Sequence, residues 1–363
     1  MFRNPFNNAF GLEIGDLSIK LIQLKPASFY KKSCFEISQL REIRLPAGLI
    51  VNGEIQQPEI VRQKLLQILG RTKNEKYKTI KEPWVVAGLP EVKTFLKIIS
   101  IDAGINEITD ADIIFQAKKH LPFELDEAYI NWQLIESKSN EKYSQVLIGA
   151  IPKIIADAYT YLLESVQLMP IALEIEAVSL ARSLITESKD YSGQARAILD
   201  LGATRSCLII YDNNSIQFST TLDYSGEIIT TAIEQSLKIN HQQAEEMKIK
   251  LGARYNSRTN AKYYKAISRI NDKMIDDVLS ALEFYKDHFN DQNPINHITM
   301  CGGVSEWDGL DNIISKKLKI SSHPGNVWKN LNNDNLKTDK GLGLNLAVAI
   351  GLALRATQKP FTI

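Results

Sequence analysis

Two distant stretches of this chain share one plan. "FGLEIGDLSIKLIQL" (residues 10–24) and "ILDLGATRSCLII" (198–210) each read as an apolar strand, a tight polar turn with a glycine, and a second apolar strand. At the end of each first strand an acid, an apolar residue and a glycine follow one another: Glu13-Ile14-Gly15 and Asp200-Leu201-Gly202. Hydroxyl residues come next, Ser18 in one case and Thr204 and Ser206 in the other. Recurrence about 190 residues apart in a chain of 363 predicts two similar α/β halves, with the two turns facing each other across a cleft.

Composition narrows the partners. The net charge is +1, so no global field draws the chain to nucleic acid or to anionic lipid. At 44% hydrophobic and 23% charged residues it reads as an ordinary soluble globular protein. No run of about 18 apolar residues marks a membrane span. The start, "MFRNPFNNAF", lacks the apolar centre of a signal peptide, and Phe2, Phe6 and Phe10 read as a short arm. Cys34, Cys207 and Cys301 are far apart without metal-ligand spacing, which fits a reducing, cytoplasmic compartment. The five histidines (His120, His241, His288, His297, His323) form no ligand or catalytic array.

The chain divides as follows. Strands at 10–14, 19–25 and "CFEISQLREI" precede a helix at "PEIVRQKLLQILG", where Ile60, Val61, Leu65, Ile68 and Leu69 mark one apolar face. A second region opens at "EPWVVAGLP". It holds strands "VVAGL" and "FLKIIS", a helix at "TDADIIFQAKKHL", and strands "AYINWQLI" and "SQVLIGAI" joined by the polar "ESKSNEKYS". Thr109 and Asp112 give that helix a capping-box start, and Pro122 ends it. A helix from Pro152, a strand "PIALEIE" and a helix "AVSLARSLI" lead to the polar linker "TESKDYSGQ". The second half adds helices around 225–238, 241–250, 271–290 and 311–319, and a strand "HITMC". The last helix, "LNLAVAIGLALRA", is apolar on all sides and is expected to be buried.

Four motifs carry chemistry. In the first turn Gly15 lets backbone approach a phosphate, Lys20 supplies a point charge and Glu13 suits a hydrated magnesium ion. Alone, these residues read better as a strand hairpin with surface charges. Asp200, Gly202, Thr204 and Ser206 repeat the logic in the second turn. The strand-to-helix loop with Gly302 and Gly303, and Gly309 six residues on, permits close approach of a flat ring or sugar. In "HQQAEEMKIKLG", Glu245 and Lys248 share one helix face, where they suit either a ribose and base or a surface salt bridge. Trp84, Trp132 and Trp307 read as core or interface anchors.

Together, in this order, the motifs resemble the actin-like ATPase superfamily, which includes sugar kinases, DnaK-type chaperones, actin and FtsA. Nearer still, the chain is similar to the type IV pilus assembly PilM family. The blocks that carry this are "FGLEIGDLSIKLIQL", "AKKHLPFELDEAYINWQLIE", "AYTYLLESVQLMPIALEIEAVSLAR", "LDYSGEIITTAIEQSL" and "AEEMK". The resemblance implies an α/β actin-like ATPase fold, two duplicated domains around a nucleotide cleft with an inserted small subdomain. Its boundaries would be 10–83 with 166–190 for the first core, 84–165 for the insert, 195–225 with 296–363 for the second core, and 226–295 for a helical subdomain. It implies ATP or ADP with Mg2+, held by Glu13, Gly15, Asp16, Ser18, Lys20, Asp200, Gly202, Thr204, Gly226, Glu227, Glu245, Lys248, Gly302 and Gly303. Glu13 and Asp200 would bind the metal through water, and Asp200 is the best catalytic candidate. Two positions depart from the family: Glu13 stands for the usual Asp, and Asp16 for a small hydroxyl residue. An unneutralised Asp16 would repel a phosphate, so Asp16→Thr is expected to tighten ATP binding, and the chain is expected to be at most a slow ATPase.

The resemblance further implies a scaffold at the inner membrane, bound to the short cytoplasmic N-terminal segment of a PilN-like membrane protein. The groove would lie between the first domain and the insert, with "PWVVAGLP", "FLKIIS" and "QVLIGAI" as candidate walls. Other pilus platform and motor proteins, and self-association, are further partners to consider; nucleic acid is not. The resemblance leaves pili with twitching motility, secretion and DNA uptake as alternative services. Two alternatives share the fold, a sugar or acetate kinase and an FtsA-like filament protein. The ending "RATQKPFTI", with Pro360, does not read as FtsA's amphipathic membrane helix.

Overall fold

The paired hairpins fold as the sequence pattern predicts, and each becomes the centre of a sheet. A computed structural model describes residues 6, 8–27, 34–72, 76–102, 104, 107–135, 143–254, 261–289, 292–331 and 343–358. Phe2, most of "ESKSNEKYS" and Pro360 lie outside these residues. In chain order the first half holds β1 (Phe10–Ile14), β2 (Ser18–Pro26), β3 (Phe35–Arg44), β4 (Ile50–Val51), β5 (Glu54–Ile55), α1 (Pro58–Ile68), β6 (Trp84–Leu89), β7 (Phe95–Ile101), α2 (Asp110–Ala117), β8 (Ala128–Ile135), β9 (Ser144–Pro152), α3 (Lys153–Ser165), β10 (Met169–Ile175) and α4 (Glu176–Leu184). The second half holds β11 (Ala195–Leu201), β12 (Ser206–Asp212), β13 (Ser215–Leu222), α5 (Gly226–Leu237), α6 (His241–Leu251), α7 (Ala261–His288), β14 (Ile295–Cys301), α8 (Leu310–Leu318), β15 (Ser321–Pro324) and α9 (Ala347–Thr357).

The first sheet runs β10-β6-β1-β2-β3, and the second β15-β14-β11-β12-β13-β7-β9-β8. In each, one strand of the hairpin pairs antiparallel with its partner and parallel with a later strand: β1 with β2 and β6, β11 with β12 and β14. This is the duplication expected from the two turns.

Three boundaries shift. "VVAGL" was expected in the insert, yet β6 lies parallel between β1 and β10, so it belongs to the first sheet. The helix after Pro152 also leaves the insert: Ile155, Tyr159 and Leu163 of α3 pack into the first-half core with Leu12 and Val85. The insert's own sheet is β7-β9-β8, with α2 over it through Ile113 and Ala117. It joins the second sheet at one register pair, Phe218↔Lys97. The third shift is α9, expected wholly in the second core. Its cluster takes Ile22 and Val86 from the first sheet, Leu180 from α4, and Ile198 and Cys301 from the second sheet. It therefore fills the seam between the halves.

Close approach explains the small residues at that seam. A Cβ on Gly351 would stand 1.9 Å from the backbone oxygen of Ser179, and one on Gly11 2.4 Å from the nitrogen of Ala353. Phe10 is no part of an arm; it is wholly buried in β1, while Phe6 packs edge-on against Trp84 at 4.9 Å. The capping box of α2 forms, with Thr109 N–H donating to Asp112 at 3.0 Å. Helix α7 begins ten residues before its expected start at 271, because Tyr263, Tyr264 and Ile267 continue its apolar face into the core.

Candidate functional site

The two turns have the same backbone closure: Gly15 N–H donates to Ser18 O at 2.9 Å, and Gly202 N–H to Arg205 O at 3.0 Å. Strand register then places Glu13 opposite Lys20, and their side chains pair at 2.6 Å. The other carboxylate oxygen of Glu13, Oε2, is buried without a partner. Burial pulls the Lys20 pKa down, but the charge and hydrogen bond of Glu13, helped by Glu42 and Asp200, hold it above the ordinary lysine value. Asp200 stands across from them on β11, with Cys301 Sγ 3.5 Å from its Oδ1. Burial, with the charges of Glu176 and Glu13 adding, pushes Asp200 up to about 6.

Asp16 is not the uncompensated charge the sequence suggests. Its Oδ1 accepts from Gly53 N–H and from Arg205 Nη1, both at 3.1 Å. Arg205 lies in the opposite turn and also reaches Glu176 Oε1 at 3.3 Å. One guanidinium thus bridges two first-half carboxylates. Burial works against its charge, yet Glu176 and Asp16 outweigh it and raise its pKa. Behind them, Glu91 accepts from Ala177 N–H at 3.0 Å, and burial, with Glu176 adding, pushes it up to about 7.

The helical side is fastened to the second turn. Gly226 and Glu227 donate their N–H groups to Gly202 O and Ala203 O at 3.1 and 2.8 Å, and Ser225 caps α5 through Ile228 N–H. Lys248 is buried, and its ammonium meets Glu245 at 2.6 Å, Thr230 Oγ1 at 2.8 Å and Gly226 O at 3.1 Å. Its three donors are therefore spent, one within α6 and two on joining α6 to α5. Glu245 and Glu227 keep about two-fifths of their side chains exposed. At the opposite wall Gly302 has φ +79°, and a Cβ there would meet Leu201 O at 2.4 Å, whereas a Cβ on Gly303 would meet nothing within 4 Å. Gly302 lets the loop hug β11; Gly303 leaves room beside it.

The fourteen residues assigned to the nucleotide line one cleft of about 800 Å³ between the halves, whereas Ser206 and Gly309, also picked out by their motifs, do not line it. Arg205 and Glu176 line it too and were not foreseen. Arg205 sits inside the quoted "DLGATRS", and the carboxylate excess of the floor calls for such a counter-ion. A hydrated divalent cation fits this floor. Glu13 offers an unpartnered buried oxygen, and among the described residues no ion pair joins Asp200 to a cation. Among the described residues no group of three or more His, Cys, Asp or Glu is arranged to hold a metal directly.

The family model for the type IV pilus assembly protein PilM matches residues 11–357. The chain belongs to the PilM family. A solved PilM-PilN type IV pilus biogenesis complex matches with a TM-score of 0.80 at 22% identity, covering 98% of this chain and 100% of that one. Ethanolamine utilization protein EutJ from Carboxydothermus hydrogenoformans matches with a TM-score of 0.54 at 11% identity, over 96% and 90% of the two chains. MreB 5 of Spiroplasma citri, bound to AMPPNP, matches with 0.54 at 12%, over 95% and 94%. The fold is that of the actin-like ATPases.

For a PilM-family chain the expected peptide groove needs revision. "PWVVAGLP" forms β6, enclosed by two strands and buried from Val85 to Leu89, and "QVLIGAI" forms β9, enclosed by β7 and β8. Neither offers a free edge. From "FLKIIS", Phe95, Leu96 and Lys97 line a second groove of about 660 Å³ with β13 and Phe284 of α7. The insert's edge strand is β8. No helix among the described residues is long and apolar enough to cross a membrane.

Proposed function

We propose that this protein is a nucleotide-binding scaffold of the type IV pilus assembly platform. It holds ATP or ADP with Mg2+ in the cleft and docks an extended cytoplasmic segment of a PilN-like membrane protein. The observation that carries the nucleotide reading is the convergence of four separate chain segments on one cleft, with Glu13 Oε2 left unpartnered at its floor. Gly15, Ser18, Gly202 and Thr204 would flank the phosphates from both turns, Glu13 and Asp200 would hold the metal's water shell, and Glu227, Glu245, Gly302 and Gly303 would border the nucleoside. The bound metal would neutralise phosphate charge. Hydrolysis is slow in this reading, because Glu13, Asp16 and Glu176 at the floor are each tied to a cation, which leaves Asp200 among these four to orient water.

The docking surface we assign lies where the first domain meets the insert. Edge strand β8 carries Tyr129, half exposed, whose hydroxyl donates to Asp157 of α3 at 3.1 Å. On the same face of α3, Ile154 and Tyr161 are 77% and 70% exposed. An edge strand beside an apolar stripe suits an added strand, which takes main-chain hydrogen bonds and seats alternate side chains. The relative whose solved structure is titled a PilM-PilN complex supports the choice of partner. Such docking would place the protein at the inner membrane. The test is capture by an immobilised peptide with the N-terminal segment of the PilN-like protein. The reading requires capture by the native protein and loss with the folded Ile154→Asp, Tyr161→Asp double variant; no capture by native protein would refute it.

A further inference from the structure

The strand that carries Asp200 at one end carries a different set of charges at the other. Arg196 and Asp200 are four residues apart on β11, so both leave the same sheet face about 13 Å from one another. Around Arg196 gather Lys189 and Tyr191 from the linker between α4 and β11, His297 from β14, His323 from β15, and Lys329 from the short turn Lys329–Leu331. None of these residues lines the nucleotide cleft. The Tyr191 ring takes two cations, with the Arg196 guanidinium carbon 5.1 Å and Lys189 Nζ 5.3 Å from its centre. The rings of His297 and His323 are 5.8 Å apart, and Ser321 Oγ is 3.1 Å from His323 Nε2.

Among the described residues no ion pair joins any of the five basic side chains to a carboxylate. Asp190, in the same linker, accepts from the N–H and hydroxyl of Ser192. Arg196 Nε is buried with no acceptor. The positive field of the cluster shows in its members. Burial, then the charges of Arg196, His323, Lys329 and Lys189, push His297 down to about 4, and burial with Arg196 and Lys189 pushes Lys329 down to about 8. A buried guanidinium N–H without an acceptor is costly, and like charges gathered on one face repel.

We propose that this cluster is an anion site distinct from the nucleotide cleft, and that it binds a phosphate group through Arg196 with Lys189, Lys329 and the His297–His323 pair. A phosphate suits it better than a carboxylate. It carries up to two negative charges and several acceptor oxygens, enough for a guanidinium and two ammonium groups at once. A free phosphate ester and a phospholipid headgroup share this chemistry.

The test follows the imidazole signal of His297 by NMR through a pH titration, with and without inorganic phosphate. A parallel arm measures cosedimentation with vesicles of phosphatidic acid against vesicles of phosphatidylcholine. A saturable rise of the His297 pKa by about one unit with phosphate assigns a free phosphate source. Cosedimentation with phosphatidic acid alone, without that rise, assigns a headgroup. Either effect is lost in Arg196→Gln, weakened in Lys329→Gln, and kept in Asp200→Asn, which alters only the cleft. Absence of both effects, or their persistence in Arg196→Gln and Lys329→Gln, overturns the proposal.

Discussion

Arg205 and Asp16 are 189 residues apart in the chain and 3.1 Å apart across the seam of the fold. Each sits in one of the two repeated turns, so the turns that face each other also hold each other. Glu176, at the start of α4, takes the second nitrogen of the same guanidinium. The tie therefore joins the second half to two elements of the first, at the floor of the cleft.

Breaking this tie costs stability. Asp16 is 5% and Arg205 18% exposed, so removing one partner strands a largely desolvated charge. Asp16→Ala is expected to lower unfolding free energy by about 3 kcal/mol, and a double-mutant cycle with Arg205→Ala to show a coupling of about 1–3 kcal/mol. Urea denaturation of the four proteins measures both. The pairing also withdraws the premise that Asp16 repels a phosphate. Asp16→Thr is expected first of all to destabilise the protein, and a variant as stable as the native chain would contradict the tie.

If the cleft holds a metal-nucleotide as proposed, Asp200 is expected to make its binding depend on pH. Its carboxyl is raised to about 6, by burial first and then by Glu176 and Glu13. A metal's water shell is held by the ionised form. Affinity for Mg-ATP is therefore expected to be level above pH 6 and to fall roughly tenfold per unit below it. Calorimetric titration from pH 5 to 8 checks this, and Asp200→Asn should flatten the profile at its weak end.

Glu91 should make stability fall as pH rises. In the folded protein burial lifts it from 4.5 to about 7, so the folded state holds its proton where the unfolded chain has lost it. The stability this gives is whole below about pH 4.5 and disappears as pH climbs through about 7. Glu91→Gln keeps an acceptor for Ala177 N–H and never ionises. Its melting temperature should exceed that of the native protein at about pH 8 and match it at about pH 5.

The seam helix tolerates no added carbon. Gly351→Ala would press a methyl group against the Ser179 backbone, 1.9 Å away in the native arrangement. Relief requires α9 to shift from α4, and the expected loss is about 1–3 kcal/mol by denaturant unfolding. Gly193→Ala, where a Cβ would meet nothing within 4 Å, gauges the strain of a positive φ alone.

The sequence made the local elements legible and hid the long-range pairings. Glu13, Gly15, Asp200 and Gly202 were readable because acid, apolar residue and glycine recur between apolar strands, and a turn is a local event. The partners of Asp16 were not, because nothing within the turn signals an arginine 189 residues away. The run "VVAGL", bounded by prolines, looks like the start of a new region; only its parallel pairing with β1 returns it to the first sheet. Helix α9 was rightly expected to be buried, but an apolar surface all round does not say against which half it packs. Lys248 was expected as a nucleotide ligand from the family resemblance, yet its ammonium contacts Glu245, Thr230 and Gly226.

The central claim is that the cleft between the halves holds a magnesium-nucleotide. The direct measurement is an equilibrium titration of the purified protein with fluorescent ATP, with Mg2+ and with a chelator in its place. Saturable binding below millimolar nucleotide is expected with Mg2+, with marked weakening in chelator and in Asp200→Asn. No binding at millimolar nucleotide by folded protein in the presence of Mg2+ would contradict the account.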